Sequence, residues 1–160
     1  MIFPKIRLTV KFKIGLSLII FVWLIGSIIP LIPFFPKIFL SFSPFGSMFY
    51  SPVCHQESAK LICNDYGCTY LCSRCVGIYS GVFIFSFATI FIRNIKVIHI
   101  KYFFLLSTPL LVDVILSSSG FYPYSKTMAY LTGIIFGSTA FYYFYIGIQK
   151  WLSEKTRIVV

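Results

Sequence analysis

Four long apolar runs, separated by short polar or basic stretches, dominate the pattern along the chain. A helix that crosses a bilayer needs about 20 mostly apolar residues. The runs predict four such helices, over about 14–32, 77–92, 102–118 and 128–148. The third run contains Asp113 and is the weakest of the four by hydropathy alone. The pattern therefore predicts an all-α integral membrane protein, built as a single membrane domain over residues 1–160.

The segment between the first two runs, residues 33–76, is predicted to be an outer loop broken by prolines. Pro33, Pro36, Pro44 and Pro52 interrupt it, and proline removes a backbone donor and blocks a continuous helix. In lipid, irregular backbone is tolerated only where it is buried in protein or lies at the interface. We therefore expect this proline-containing stretch to lie along the outer interface.

Composition and charge support a membrane location and indicate a direction of insertion. Apolar residues make up 58% of the chain and charged residues 11%, against about 45–50% and about 25% in soluble domains. Fourteen Lys and Arg face four Asp and Glu, and most of the basic residues lie near the two termini and around 93–101. Basic residues mark cytoplasmic ends, so we expect both termini in the cytoplasm of a multi-pass cell (inner) membrane protein. Orientation in the lipid bilayer thus accounts for the excess of basic residues, and we do not expect nucleic-acid binding.

Small residues indicate where the predicted helices meet. Gly77 and Gly81 open the second run, and Gly133 and Gly137 lie early in the fourth. Both pairs form the G-x-x-x-G pattern, which lets helix backbones approach closely in a bilayer. The pattern is common, and it serves equally for packing within the chain, for a homo-oligomer or for docking on a larger membrane complex.

The most informative feature is a cysteine cluster in the outer loop. All five cysteines fall within 22 residues, and His55 and Gln56 directly follow the first of them. The cysteines are Cys54, Cys63, Cys68, Cys72 and Cys75. The cluster lies at the mouth of the second predicted helix.

Metal binding is the first of three chemistries that fit the cluster. Cys72 and Cys75 form a C-x-x-C pair, a spacing that lets two thiolates reach one ion. Cys54 and His55 would complete a tetrahedral set, given a turn in the backbone. Thiolate with imidazole suits zinc first, and also copper or iron.

Thiol–disulfide exchange and structural disulfides are the two alternatives. Cys72 and Cys75 begin a predicted helix, where the dipole and the neighbouring Arg74 favour thiolate. Cys63 and Cys68 would then form a second pair that relays oxidation. Structural disulfides would instead cross-link the loop, as in an accessory subunit of a larger membrane complex, although an odd count leaves one thiol over. Whether the chain is an enzyme stays open at this point.

At these residues the chain resembles a known family. Cys54-His55-Gln56 and, eighteen positions on, Cys72-Ser-Arg-Cys75-Val-Gly-Ile-Tyr-Ser-Gly81 are similar to the C-H-Q and C-x-R-C-x-G-I-Y-x-G signatures of domain of unknown function 2085. The similarity extends more weakly to Asp113 and to Leu131-Thr132-Gly133. That family of small membrane proteins carries no established activity to transfer.

The resemblance implies a particular site. It is made of Cys54, His55, Gln56, Cys72, Arg74 and Cys75, with Asp113 as a partner. Cys63 and Cys68 look like additions to the shared pattern. A disulfide between those two would leave the other three cysteines reduced around a metal.

A looser similarity is one of topology. Quinone-linked membrane thiol oxidases also have four helices and a C-x-x-C at the outer mouth of the second, which makes a quinone cofactor the redox alternative to a metal. Their second cysteine pair lies in the second outer loop, whereas residues 117–127 here hold no cysteine.

Asp113 needs a partner inside the membrane. A charged side chain near the bilayer centre costs roughly 3 kcal/mol on insertion scales, and Arg74 or Lys126 is placed to offset it. As a functional group Asp113 would relay protons or accept a hydrogen bond from His55. As a structural group it would form an ion pair that orients helices. No phosphate-binding loop, Ser-His-Asp set or H-E-x-x-H motif occurs, so hydrolase and nucleotide-driven mechanisms have no support.

Overall fold

The computed structural model of the chain describes residues 10–32, 43–92 and 98–158. Within these ranges the protein is mostly helical, with one small β-hairpin on the loop between the first two long helices. The helices are α1 Val10–Ile28, α2 Ser43–Tyr50, α3 Ser73–Phe91, α4 Lys101–Ser118 and α5 Lys126–Ile158, and the strands are β1 Leu61–Asn64 and β2 Gly67–Cys72. Short 3₁₀ turns cover Ile29–Leu31 and Ser58–Lys60.

Four helices are long and apolar enough to cross a membrane, as the hydrophobic pattern predicted. They are Val10–Leu31, Ser73–Phe91, Lys101–Ser118 and Lys126–Leu152. The first two begin four residues before the predicted starts, because helical hydrogen bonding continues where hydropathy falls. Lys13 shows how a charge is accommodated there. Its ammonium group donates to the Thr89 carbonyl at 2.7 Å and lies 5.6 Å from the Tyr145 ring centre.

Burial in these helices is inverted relative to a water-soluble protein. The buried positions are largely small and polar, and they include Ser27, Ser86, Ser107 and Asp113. Large apolar side chains point outward, and Ile19, Val22, Phe91, Phe104 and Leu105 are among the most exposed. Exposed apolar surface on this scale marks contact with a nonaqueous partner, and on four helices of spanning length that partner is lipid.

Close contact between α3 and α5 forms the centre of the bundle. A Cβ atom on Gly77 or Gly81 would overlap the backbone of α5, and one on Gly133 or Gly137 would overlap the backbone of α3. The two G-x-x-x-G patterns therefore face each other within one chain. α1 packs on α3, and α4 packs on α5.

The β-hairpin is absent from the all-α prediction. Its strands pair antiparallel, with Asn64 opposite Gly67, so that Asp65 and Tyr66 form a two-residue turn. The side-chain oxygen of Asn64 accepts hydrogen bonds from the backbone amides of Tyr66 and Gly67, both at 3.0 Å. The amide nitrogen of Asn64 donates to the Leu31 carbonyl at 2.9 Å, which fastens the hairpin to the 3₁₀ turn that follows α1.

The proline-containing part of the outer loop is only partly within the described residues. Pro33 and Pro36 lie outside them. Pro44 lies in the first turn of α2, where a missing backbone donor costs nothing. Pro52 lies in the turn that follows α2. The predicted irregular loop thus contains a short helix and a hairpin, which together position the cysteines.

Candidate metal centre

The β-hairpin leads directly into the C-x-x-C pair. Strand β2 ends at Cys72, whose extended backbone forms the N-cap of α3. Cys75 lies in the first turn of that helix. The two thiols therefore lie at the N-terminus of a 19-residue helix, where the dipole stabilises negative charge.

Cys54 reaches the same place from the opposite direction. It follows α2 in a tight turn, in which the amides of Val53 and Cys54 both donate to the Tyr50 carbonyl, at 3.2 and 3.1 Å. Its side chain is only 7% exposed and belongs to a small buried cluster with Tyr50 and Leu71. The turn thus points a thiol inward toward the start of α3.

The three sulfurs form one compact group. The Sγ atoms of Cys54, Cys72 and Cys75 all lie within 4.8 Å of one another. The backbone amide of Cys72 donates to the Cys54 sulfur at 3.2 Å, and the Cys75 thiol faces the Val53 carbonyl at 4.0 Å. Sulfurs on one tetrahedral zinc ion lie about 3.8 Å apart, given Zn–S bonds of about 2.3 Å. The group therefore needs only a small contraction to hold an ion.

The surroundings favour a thiolate at Cys54. Hydrogen bonds from the thiols of Cys72 and Cys75, and then from the backbone amides of Cys72 and Gln56, hold the pKa of Cys54 far below its ordinary value. The pKa of Cys72 is raised, because its thiol gives its hydrogen bond to Cys54. The thiolate is the form of cysteine that binds a metal.

His55 and Gln56 differ in what they do. The His55 side chain is exposed, and its ring nitrogens are not part of the sulfur group. Gln56 has a left-handed backbone with φ of 50°, and its side-chain amide donates to the Ser47 carbonyl at 2.7 Å. Gln56 thus holds the turn that carries Cys54, while the assignment of His55 as a ligand stays a prediction.

Arg74 and Asp113 form a separate buried pair beside the sulfurs. Nη2 of Arg74 lies 2.6 Å from Oδ2 of Asp113 and 3.5 Å from the Ser117 hydroxyl. The Tyr122 hydroxyl donates to the other oxygen of Asp113. Asp113 is 6% exposed, and its partner is Arg74, whereas Lys126 is exposed. These interactions of Asp113 link α4 to α3 and to the loop after α4, and none of them involves His55.

Cys63 and Cys68 lie away from the sulfur group, on the hairpin. They are opposite each other across the two strands and are paired as a disulfide, with both side chains exposed. The pair closes the hairpin whose far end carries Cys72.

Tyr124 lies next to the C-x-x-C pair and was not anticipated from the sequence. The Tyr124 hydroxyl lies 2.8 Å from the Ser73 hydroxyl, and the Tyr124 ring lies between two cations, 5.5 Å from Arg74 and 5.7 Å from Lys60. Burial raises the pKa of Tyr124. A tyrosine in the loop between α4 and α5 carries no spacing signal, so only the folded chain reveals its position.

Comparison with known families gives a match over more than half of the chain. A family model described as "Predicted membrane protein (DUF2085)" matches residues 54–143. The chain belongs to this family of predicted membrane proteins. The match begins at Cys54, ends in α5 and so includes the three clustered cysteines, Arg74 and Asp113. No curated protein and no solved structure matches the chain.

Proposed function

We propose that this DUF2085 member binds one transition-metal ion, with zinc as the first candidate, between Cys54, Cys72 and Cys75. A single observation carries the proposal: three thiols from two separate segments converge within 4.8 Å of one another. Three sulfur donors favour zinc, copper(I) or iron over magnesium or calcium. The fold supports the site, since a helix N-terminus and a backbone amide stabilise the negative charge that such an ion requires.

The proposed location is the outer face of the cell membrane. The basic residues near both termini and around 93–101 favour a cytoplasmic position for those parts of the chain. With four crossings, the hairpin and the sulfur group then lie on the opposite side. An alkaline phosphatase fused after Val160 should be inactive in cells, and an active fusion would contradict this orientation.

Metal content and thiol counting test the proposal together. We expect about one metal ion per chain in protein purified in detergent without chelator. Cys54, Cys72 and Cys75 should resist alkylation until a chelator removes the ion. Cys72→Ser should lose the metal because only two thiolates remain.

The matched control is the double variant Cys63→Ser/Cys68→Ser. It removes two cysteines from the same loop but none from the sulfur group, so it should keep the metal. If Cys54, Cys72 and Cys75 all react freely in unmodified protein that holds no metal, or if Cys72→Ser keeps the metal in full, the proposal is wrong.

Thiol–disulfide exchange at Cys72 and Cys75 is the second candidate function, supported by the same closeness of their sulfurs. Forming that disulfide releases two electrons and two protons, and a quinone that accepts them becomes a quinol. The candidate predicts metal-free protein in which the redox state of Cys72 and Cys75 follows the quinone pool. Constant co-purification with other membrane subunits would instead support an accessory role.

A further inference from the structure

The number of metal ligands that the chain itself can supply is limited. Zinc and similar ions take their protein ligands from Cys, His, Asp and Glu. The chain has five cysteines, two histidines and four acidic residues. Three cysteines form the sulfur group, so the remaining eight residues decide whether the chain can complete a tetrahedral site.

Several of the eight have other partners. Cys63 and Cys68 are bonded to each other. Asp113 is paired with Arg74, and the Glu57 carboxylate lies 2.5 Å from the Lys60 ammonium group. Moving any of these onto the ion would break an existing bond or ion pair.

The other acidic residues and His99 are too far away. Asp65 lies in the hairpin turn beyond Gly67, and Gly67 itself is roughly 16 Å along β2 from Cys72 at about 3.3 Å per residue. Glu154 lies roughly 35 Å along α5 from Tyr130, whose carbonyl packs against Gly77 close to the site. The His99 carbonyl accepts a hydrogen bond from Tyr143, roughly 20 Å along α5 from Tyr130.

His55 is the remaining donor, and the backbone directs it outward. Cys54 turns its side chain into the protein, and His55 is exposed immediately after it. On the C-terminal side of His55, the chain path is fixed by the left-handed backbone of Gln56 and by the hydrogen bond from its side chain to the Ser47 carbonyl. The turn that buries the Cys54 thiol therefore places the imidazole on the solvent side.

Resting on the proposed metal function, we infer that the site is an open three-sulfur centre whose fourth ligand is an exchangeable donor from the outer solution. Cys72 and Cys75 are only partly buried, so a small molecule can approach the ion. Structural zinc sites are closed by four protein ligands, whereas sites that exchange ligands or act on substrates keep one position open. The centre thus accepts water, or an imidazole or thiolate group of an incoming molecule.

Cobalt(II) in place of zinc makes the fourth ligand visible through its d–d absorption bands. The probe is free imidazole, added to the cobalt-loaded, full-length protein in detergent. We expect the bands to shift and the shift to saturate as imidazole replaces water. His55→Ala should give the same starting spectrum and the same titration as the unmodified protein.

The other possible outcomes distinguish failure of the open site from failure of the metal function. If His55 is the resident fourth ligand, the unmodified protein will not respond to imidazole, whereas His55→Ala will have a changed spectrum and will respond. That result overturns the open site but leaves the metal function intact. If cobalt does not bind, or binds equally to Cys72→Ser, the proposed metal function itself is wrong.

Discussion

At the scale of single residues, the best-defined interaction beside the sulfur group is the ion pair between Arg74 and Asp113. Asp113 is buried and Arg74 is partly buried, and Tyr122 and Ser117 make further hydrogen bonds to the pair. Removing one partner of such a pair leaves the other without its counter-charge in a place that is poorly solvated. The pair therefore fixes the start of α3 relative to α4. A well-packed apolar pair at the same positions could contribute as much to the stability of the protein.

Asp113→Asn should destabilise the protein by about 3 kcal/mol, because the Arg74 guanidinium is left without a counter-charge. Thermal unfolding in detergent measures the effect. Asp65→Asn is the matched control, since Asp65 is an exposed acid in the hairpin turn. Equal unfolding midpoints for the two variants would show that the ion pair is not important for folding.

Residue spacing anticipates only part of the site. The C-x-x-C pattern singles out Cys72 and Cys75 because the interval of three residues brings both to one end of a helix. That Cys54 joins them, while His55 stays outside, depends on the turn after α2. Pro52 favours a turn at this place, and Cys54 is among the ligands expected from the sequence, but spacing alone does not tell which of the neighbours Cys54 and His55 turns inward.

At the scale of secondary-structure elements, the contact between α3 and α5 controls the geometry of the site. Arg74 lies between Cys72 and Cys75 in the sequence, and its backbone carbonyl packs against Gly133 on α5. Any change that pushes α5 away from α3 will therefore also displace the C-x-x-C pair.

Gly137→Ala should separate the two helices, because the added methyl group would overlap the Ile78 carbonyl. Overpacking of this kind costs about 1–3 kcal/mol, and thermal unfolding should show it. Gly147→Ala, on the same helix with no atom within 4 Å of the new Cβ, should be neutral or slightly stabilising. If Gly137→Ala is equally well tolerated, the close helix contact is wrong.

Hydropathy predicts long apolar elements more readily than short polar ones. It located the four spans because about 20 apolar residues leave few alternatives to a membrane helix. It missed the hairpin, since strands of only four and six residues give little periodicity. The sequence Asn64-Asp65-Tyr66-Gly67 between apolar residues is the signal that could have revealed it.

At the scale of the whole molecule, the four spans, the inverted burial and the family match describe one membrane bundle with a sulfur-lined site at one end. The loop between the first two spans contributes most of this site. It supplies Cys54 from the turn after α2 and Cys72 from β2, and the bundle supplies Cys75 from α3. The proposed role of the bundle is to hold these three donors at a membrane surface.

X-ray absorption at the zinc edge, on purified protein loaded with one equivalent of zinc, tests this account most directly. It should show about three sulfur neighbours at about 2.3 Å and one lighter donor at about 2.0–2.1 Å. A first shell of nitrogen and oxygen alone would mean that Cys54, Cys72 and Cys75 do not hold the ion, and the central claim would be wrong.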